Sequence, residues 1–221
     1  MHVSPLYQIK LECVYCGKSF QTSKVRPSFK KVLRVDTDFC IYYKDLNPDY
    51  YLVRVCPYCG YAGTENSPKS LSPAQRHVFK EKITDRWTMR NYGDERNWEE
   101  ALQTYQIALL CAQATNEADR VIAGLLHRIA WMYRYRQFEE QERRFLRYAL
   151  ETYMNVYERE VADLNHARLM YLIGELNRRL GDHQEAVRWF SRIVNDRRIM
   201  DASIIRAARM QWETIRNGTK V

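Results

Sequence analysis

Proline is missing from most of this chain. None follows Pro73, and only Gly93, Gly124, Gly174 and Gly181 punctuate the stretch from there to Arg216. With so few breakers, that stretch has room for one long helix after another. Long apolar runs are also absent. None approaches the roughly 18 residues that cross a bilayer, and Met1–Leu6 has no apolar core of a signal peptide. A soluble cytoplasmic protein is expected. Histidine is scarce, at five residues, and none stands at metal or triad spacing to another. G-x-S-x-G, P-loop and Rossmann glycines do not occur. The expectation is a protein that is not an enzyme. Hydrophobic residues make up 46% of the 221, an ordinary globular share that speaks against disorder.

Six cysteines are present. Four form two knuckles, Cys13-Val14-Tyr15-Cys16-Gly17 and Cys56-Pro57-Tyr58-Cys59-Gly60. Two intervening residues let the chain turn so that both sulfurs of a pair reach one metal at about 2.3 Å. The glycine that follows can take φ > 0 and bring backbone N–H groups near the sulfurs. In a reducing compartment, paired cysteines read as metal ligands rather than disulfides. Cys13, Cys16, Cys56 and Cys59 are therefore expected to hold a structural Zn²⁺, with iron in a rubredoxin-like site as the rival. Four protein thiolates leave no open coordination position for catalysis.

Around the knuckles the chain alternates as strands do, at 6–12, 19–25, 32–35 and 50–55, with a turn at Asn47-Pro48-Asp49. A knuckle on each of two hairpins is the zinc-ribbon arrangement, and a core this small leans on its metal for folding. The expected organisation is a zinc-ribbon-like domain over 1–66, a Pro/Ser linker over 67–72 and a helical domain over 73–217. Ser72-Pro73 supplies an N-cap and an N1 proline. Helical periodicity predicts seven helices, at 73–91, 97–114, 117–135, 138–157, 162–180, 183–195 and 201–216.

The stretch Leu172–Phe190 resembles a tetratricopeptide repeat. Ile173-Gly174, Gly181-Asp182, Ala186 and Phe190 occupy its marker places. Small Gly174 and Ala186 suit a close helix crossing, Phe190 fills the space beside them, and Gly181 ends one helix where Asp182 caps the next. Weaker copies lie around Ala101/Tyr105 and around Ile129–Glu140. The expected class is mainly α with a small β N-terminal part: a zinc ribbon followed by a TPR-like antiparallel helical-hairpin solenoid.

The formal charge is +8, shared equally between residues 1–70 and the remainder. Four thiolates with one Zn²⁺ lower the first share to about +2, a poor footprint for nucleic acid. The basic end carries Arg197, Arg198, Arg206, Arg209, Arg216 and Lys220. It reads as a solvated helical face, or alternatively as a docking surface for RNA or an acidic partner. Tyr42, Tyr43, Tyr50, Tyr51, Tyr58 and Tyr61 read as packing on a small sheet or its neighbour, in preference to a platform for bases. Cys40 and Cys111 read as core. Asp36 and Asp38 read as a surface turn rather than a hard-metal site.

The order of Asp36-Thr37-Asp38-Phe39, Asn47-Pro48-Asp49-Tyr50-Tyr51 and Cys56-Pro57-Tyr58-Cys59-Gly60-Tyr61-Ala62 before long helices is similar to an uncharacterised bacterial family, catalogued as a domain of unknown function. That resemblance implies a bacterial cytoplasmic protein and the same two-part architecture. The expected role is a zinc-containing adaptor that binds a protein or peptide in the solenoid groove, where Arg128, Tyr135, Asn177 and Arg178 are candidate contacts. The alternatives are a nucleic-acid-associated regulator and, less favoured, a metal-dependent or redox enzyme.

Overall fold

The computed structural model describes residues 3–159 and 166–218. Three antiparallel hairpins open the chain. β1 (Leu6–Glu12) pairs with β2 (Ser19–Val25), Leu6 facing Val25 and Glu12 facing Ser19. β3 (Val32–Val35) pairs with β4 (Ile41–Tyr43), and β5 (Arg54–Val55) with β6 (Ala62–Gly63). The hairpins do not merge into a larger sheet. Seven helices follow among the described residues: α1 (Pro73–Lys82), α2 (Trp98–Ala114), α3 (Asp119–Tyr135), α4 (Glu139–Arg159), α5 (His166–Leu180), α6 (His183–Asn195) and α7 (Ala202–Gly218). The protein is thus mainly helical with a small β N-terminal part. The expected start of the fifth helix, 162–165, lies outside the described residues, as does Lys220.

Local chemistry sets the helix ends. Ser72 and Asn97 each accept from the third residue of their helix, while Gln75 and Glu100 reach back to the cap N–H. Asp182 accepts from Glu185 N–H at 3.0 Å, and Gly181 turns at φ +94°. The close crossing of α5 and α6 is real. A Cβ on Gly174 would lie 2.8 Å from the Phe190 ring, so only glycine fits there. Each helix packs on the next along the chain.

Two expectations fail, the first through a tertiary contact and the second through local turn chemistry. The first helix stops at Lys82 instead of 91. Ile83 leaves helical geometry, a short 3₁₀ turn follows, and the Trp87 indole N–H donates to the Pro57 carbonyl at 2.8 Å. Docking that ring on the second knuckle outweighs further helix. The strand expected over 50–55 survives only at Arg54–Val55. Pro48–Tyr51 instead form a 3₁₀ turn, whose Asp49 N–H is capped by the Asn47 side chain at 2.9 Å.

Two apolar cores form. One gathers α3 to α7 around Leu146, Tyr171, Ile173 and Phe190. The other joins Cys13, Cys56 and Cys59 to Phe79, Tyr105, Ile129 and Met132, so it crosses the 67–72 stretch. Arg96 ties the same halves together. Its buried guanidinium donates to the carbonyls of Tyr92, Tyr50 and Val53 and to the Thr22 hydroxyl.

Candidate metal centre

The first knuckle is the turn between β1 and β2, and the second is the turn between β5 and β6. They have the same local frame. Gly17 N–H donates to the Cys13 carbonyl and Gly60 N–H to the Cys56 carbonyl, at 2.9 and 3.0 Å. Both glycines sit at positive φ, +71° and +77°. The two turns face each other and bring four sulfurs within 4.8 Å. Cys13 Sγ lies 3.5 Å from Cys59 Sγ, and Cys16 Sγ lies 3.7 Å from Cys56 Sγ. A tetrahedron with metal–sulfur bonds of about 2.3 Å has edges of about 3.8 Å. The donor set therefore fits a four-thiolate ion such as Zn²⁺. At this spacing the thiols do not titrate independently. Cys56, accepting from Cys13 and Cys59, is held far below an ordinary thiol, while Cys13 and Cys59 are driven up.

The surroundings hold the cluster from the helical side. Cys111 on α2 reads as core, and its neighbour is the second knuckle: its thiol lies 3.6 Å from the Gly60 carbonyl and 3.4 Å from Ala62 N. Thr84 donates to the Cys59 carbonyl at 3.3 Å. Arg76 on α1 donates to the carbonyls of Val14 and Tyr15. The Trp87 ring covers Gly60 so closely that a Cβ there would sit 2.5 Å from it.

A second constellation was not read from the sequence. Asp36 and Asp38 do not form a surface turn. The tip between β3 and β4 inserts against α3 and α5, and Asp38 is 0% exposed. Its carboxylate accepts from His127 Nε2 at 3.1 Å, from Trp131 Nε1 at 3.0 Å and from both Arg134 NH groups at 2.8 and 2.7 Å. Burial alone would raise the Asp38 pKa, but the His127 and Arg134 donors overcome it and hold the carboxyl well below the usual range. Burial keeps His127 below its ordinary value, hence neutral and donating. Beside this pair, buried Glu175 takes Arg178 and Arg179, the Thr37 hydroxyl donates to it, and Tyr171 OH donates to the Thr37 carbonyl at 2.9 Å. A local signal existed: His127, Trp131 and Arg134 recur at i, i+4 and i+7 on one helical face.

The positions expected to line a partner groove are engaged within the chain. Arg128 pairs with Asp49 at 3.1 Å, and Tyr135 OH bonds Asp49 and the Ile41 carbonyl at 3.0 and 2.9 Å. Arg178 meets Glu175, and Asn177 donates to the Ile173 carbonyl. Cys40 is buried apart from the four-sulfur group, and burial pushes its thiol up to about 12. Tyr42 packs on Tyr135, Tyr61 on Phe79, and Tyr51 is buried. Those three rings pack within the chain, whereas Tyr58 is exposed with the Lys18 ammonium over its ring. On α7, Ile204, Ala208 and Ile215 are buried, and Arg206, Arg209 and Arg216 face solvent.

No helix among the described residues is long and apolar enough to cross a membrane. No curated protein matches the chain. A family model described as "Uncharacterized protein conserved in bacteria (DUF2225)" matches residues 6–215.

Proposed function

The chain belongs to this family of uncharacterised bacterial proteins, and from that footing we propose a non-enzymatic adaptor with a structural zinc. Its helices act as a tetratricopeptide-like hairpin array that presents a surface to a protein or peptide partner. The observation that carries the structural role is the closed four-sulfur group. An ion held there would have cysteine at all four tetrahedral positions, with none left for a substrate. The adaptor role draws support from the close α5–α6 hairpin and from the successive packing of helices, an arrangement suited to an extended binding surface. Because the protein's own residues 36–49 occupy Arg128, Tyr135 and Arg178, the partner is assigned to the remaining helical surface. Six free cysteines suit the reducing cytoplasm.

Elemental analysis of freshly purified protein should return one zinc per chain, and cobalt substitution should give a saturated four-sulfur spectrum. Iron in place of zinc, or a spectrum with an oxygen ligand, overturns the structural-zinc assignment. Cross-linked purification from the native host should return a stoichiometric protein partner. Recovery of the chain alone at native abundance overturns the adaptor. The exposed arginines of α7 favour one second reading, a nucleic-acid contact. It requires binding that weakens steeply with salt and is lost in an Arg206→Ala/Arg209→Ala/Arg216→Ala variant.

A further inference from the structure

A cavity of about 500 Å³ lies between the β1–β2 hairpin, the 3₁₀ turn before β5, and the first three turns of α3. That volume is in the range of small-molecule sites. Its lining carries Lys24, Lys30, Arg54, Arg120 and Arg128 with Glu65, Arg128 being already paired with Asp49. Glu65 shows how the wall treats an anion. Lys24 Nζ lies 2.6 Å from its Oε1, and Arg54 closes on the same oxygen. Yet the Glu65 side chain is 63% exposed, so it is a rim carboxylate held by two cations rather than a locked internal partner.

On α3 the lining is apolar and indented between Arg120 and Arg128. Val121 and Leu125 flank Gly124, and no heavy atom lies within 4 Å of where a Gly124 Cβ would be. Tyr7, Val25 and Leu52 also line the cavity. The α3 lining also starts at the positive end of a 17-residue helix whose N-cap, Ala118, provides no side-chain acceptor. Cations together with an apolar recess suit a ligand with a phosphate end and a less polar body.

We infer that this cleft binds a phosphorylated small molecule of nucleotide size, its phosphates at Lys24, Lys30 and Arg54 and its body over Gly124. The assignment is independent of the adaptor role and of the metal. Glu65 then acts as an internal competitor for the phosphate position. The test is calorimetric titration of the full-length, metal-loaded protein with adenosine triphosphate, and separately with pyrophosphate, at physiological ionic strength.

Saturable triphosphate binding is expected, tighter than pyrophosphate. Glu65→Gln should tighten it by about two- to fivefold, the worth of one exposed ion pair, and Lys30→Ala should weaken it by a similar factor. Gly124→Leu should abolish binding while leaving the melting temperature unchanged or higher, since leucine favours a helix over glycine. No heat with either compound up to about 5 mM, a concentration that would reveal even millimolar affinity, overturns the inference. So does weaker binding in Glu65→Gln, or unchanged binding in Gly124→Leu. Equal affinity for pyrophosphate removes the apolar recess from the site. A short RNA that outcompetes the triphosphate in wild type and Gly124→Leu alike moves the binding to the outer surface.

Discussion

Asp38→Ala should be the most damaging single substitution at the tip between β3 and β4. The carboxylate is fully buried and accepts from His127, Trp131 and Arg134, with Arg179 at 3.4 Å. Removing it leaves three buried side chains with donors facing a void. Breaking a buried charge pair in this way costs about 3–5 kcal/mol. Summing a lost partner for each donor would give a higher figure. The lower one applies because Arg134 keeps Asp36 at 3.1 Å and Glu142 at 2.7 Å. For a chain of this size the loss corresponds to a fall in melting temperature of about 6–20 °C. Thermal and urea unfolding of the metal-loaded protein at pH 7, followed by far-UV circular dichroism, would measure it. The control is Arg198→Ala, which breaks an exposed pair with Asp196 and should cause no measurable change. A loss below about 1 kcal/mol, the range of surface pairs, would refute the view that the tip is anchored by its charge. If Asp38→Ala does not fold at all, Trp131→Phe removes a single donor and should lose about 1 kcal/mol.

Acid should destabilise the fold in two stages, because His127 and Asp38 both bind fewer protons folded than unfolded. The His127 contribution is complete above its unfolded pKa of about 6.5 and is lost as pH falls below it. That of Asp38 is complete above about 3.9 and is lost as pH falls further. Denaturant midpoints that stay flat from pH 7 to pH 4 would contradict this. Gly17→Ala should cost about 1–2 kcal/mol of backbone strain, since its φ is positive but its surroundings are open. Gly60→Ala should cost clearly more, because its Cβ would strike the Trp87 ring; equal losses in parallel melts would show that Trp87 does not brace the second knuckle. Burial pushes Cys40 and Cys111 up to about 12, so both should resist iodoacetamide at pH 8 until the protein unfolds. Rapid labelling of either in the native state, read by peptide mass mapping, would place it at the surface.

What was legible in the sequence was what neighbouring residues determine. The knuckles could be read because spacing and glycine fix the turn within five residues, and the α5–α6 hairpin because Gly181 and Asp182 have local conformational reasons and Gly174 meets Phe190 only sixteen residues on. The end of α1 could not be read that way. Its periodicity runs on past Lys82, and the helix stops because Trp87 finds a partner thirty residues back, at Pro57. Asp38 was the clearest miss. An acidic residue in a short turn is ordinarily solvated, and its donors lie 89 to 96 residues further along the chain. The charges of the tip were plain, but their destination depended on how α3 and α5 are placed.

The length of that loop also orders events at the ribosome. The metal cluster needs only the first 59 residues, so it can assemble early in synthesis. Thr37, by contrast, waits for Arg179, which is 142 residues downstream. At bacterial-scale elongation of about 5–20 residues per second, that delay is roughly 7–28 s. Asp38 meets α3 first, after 89 to 96 residues, and α5 closes over Thr37 last.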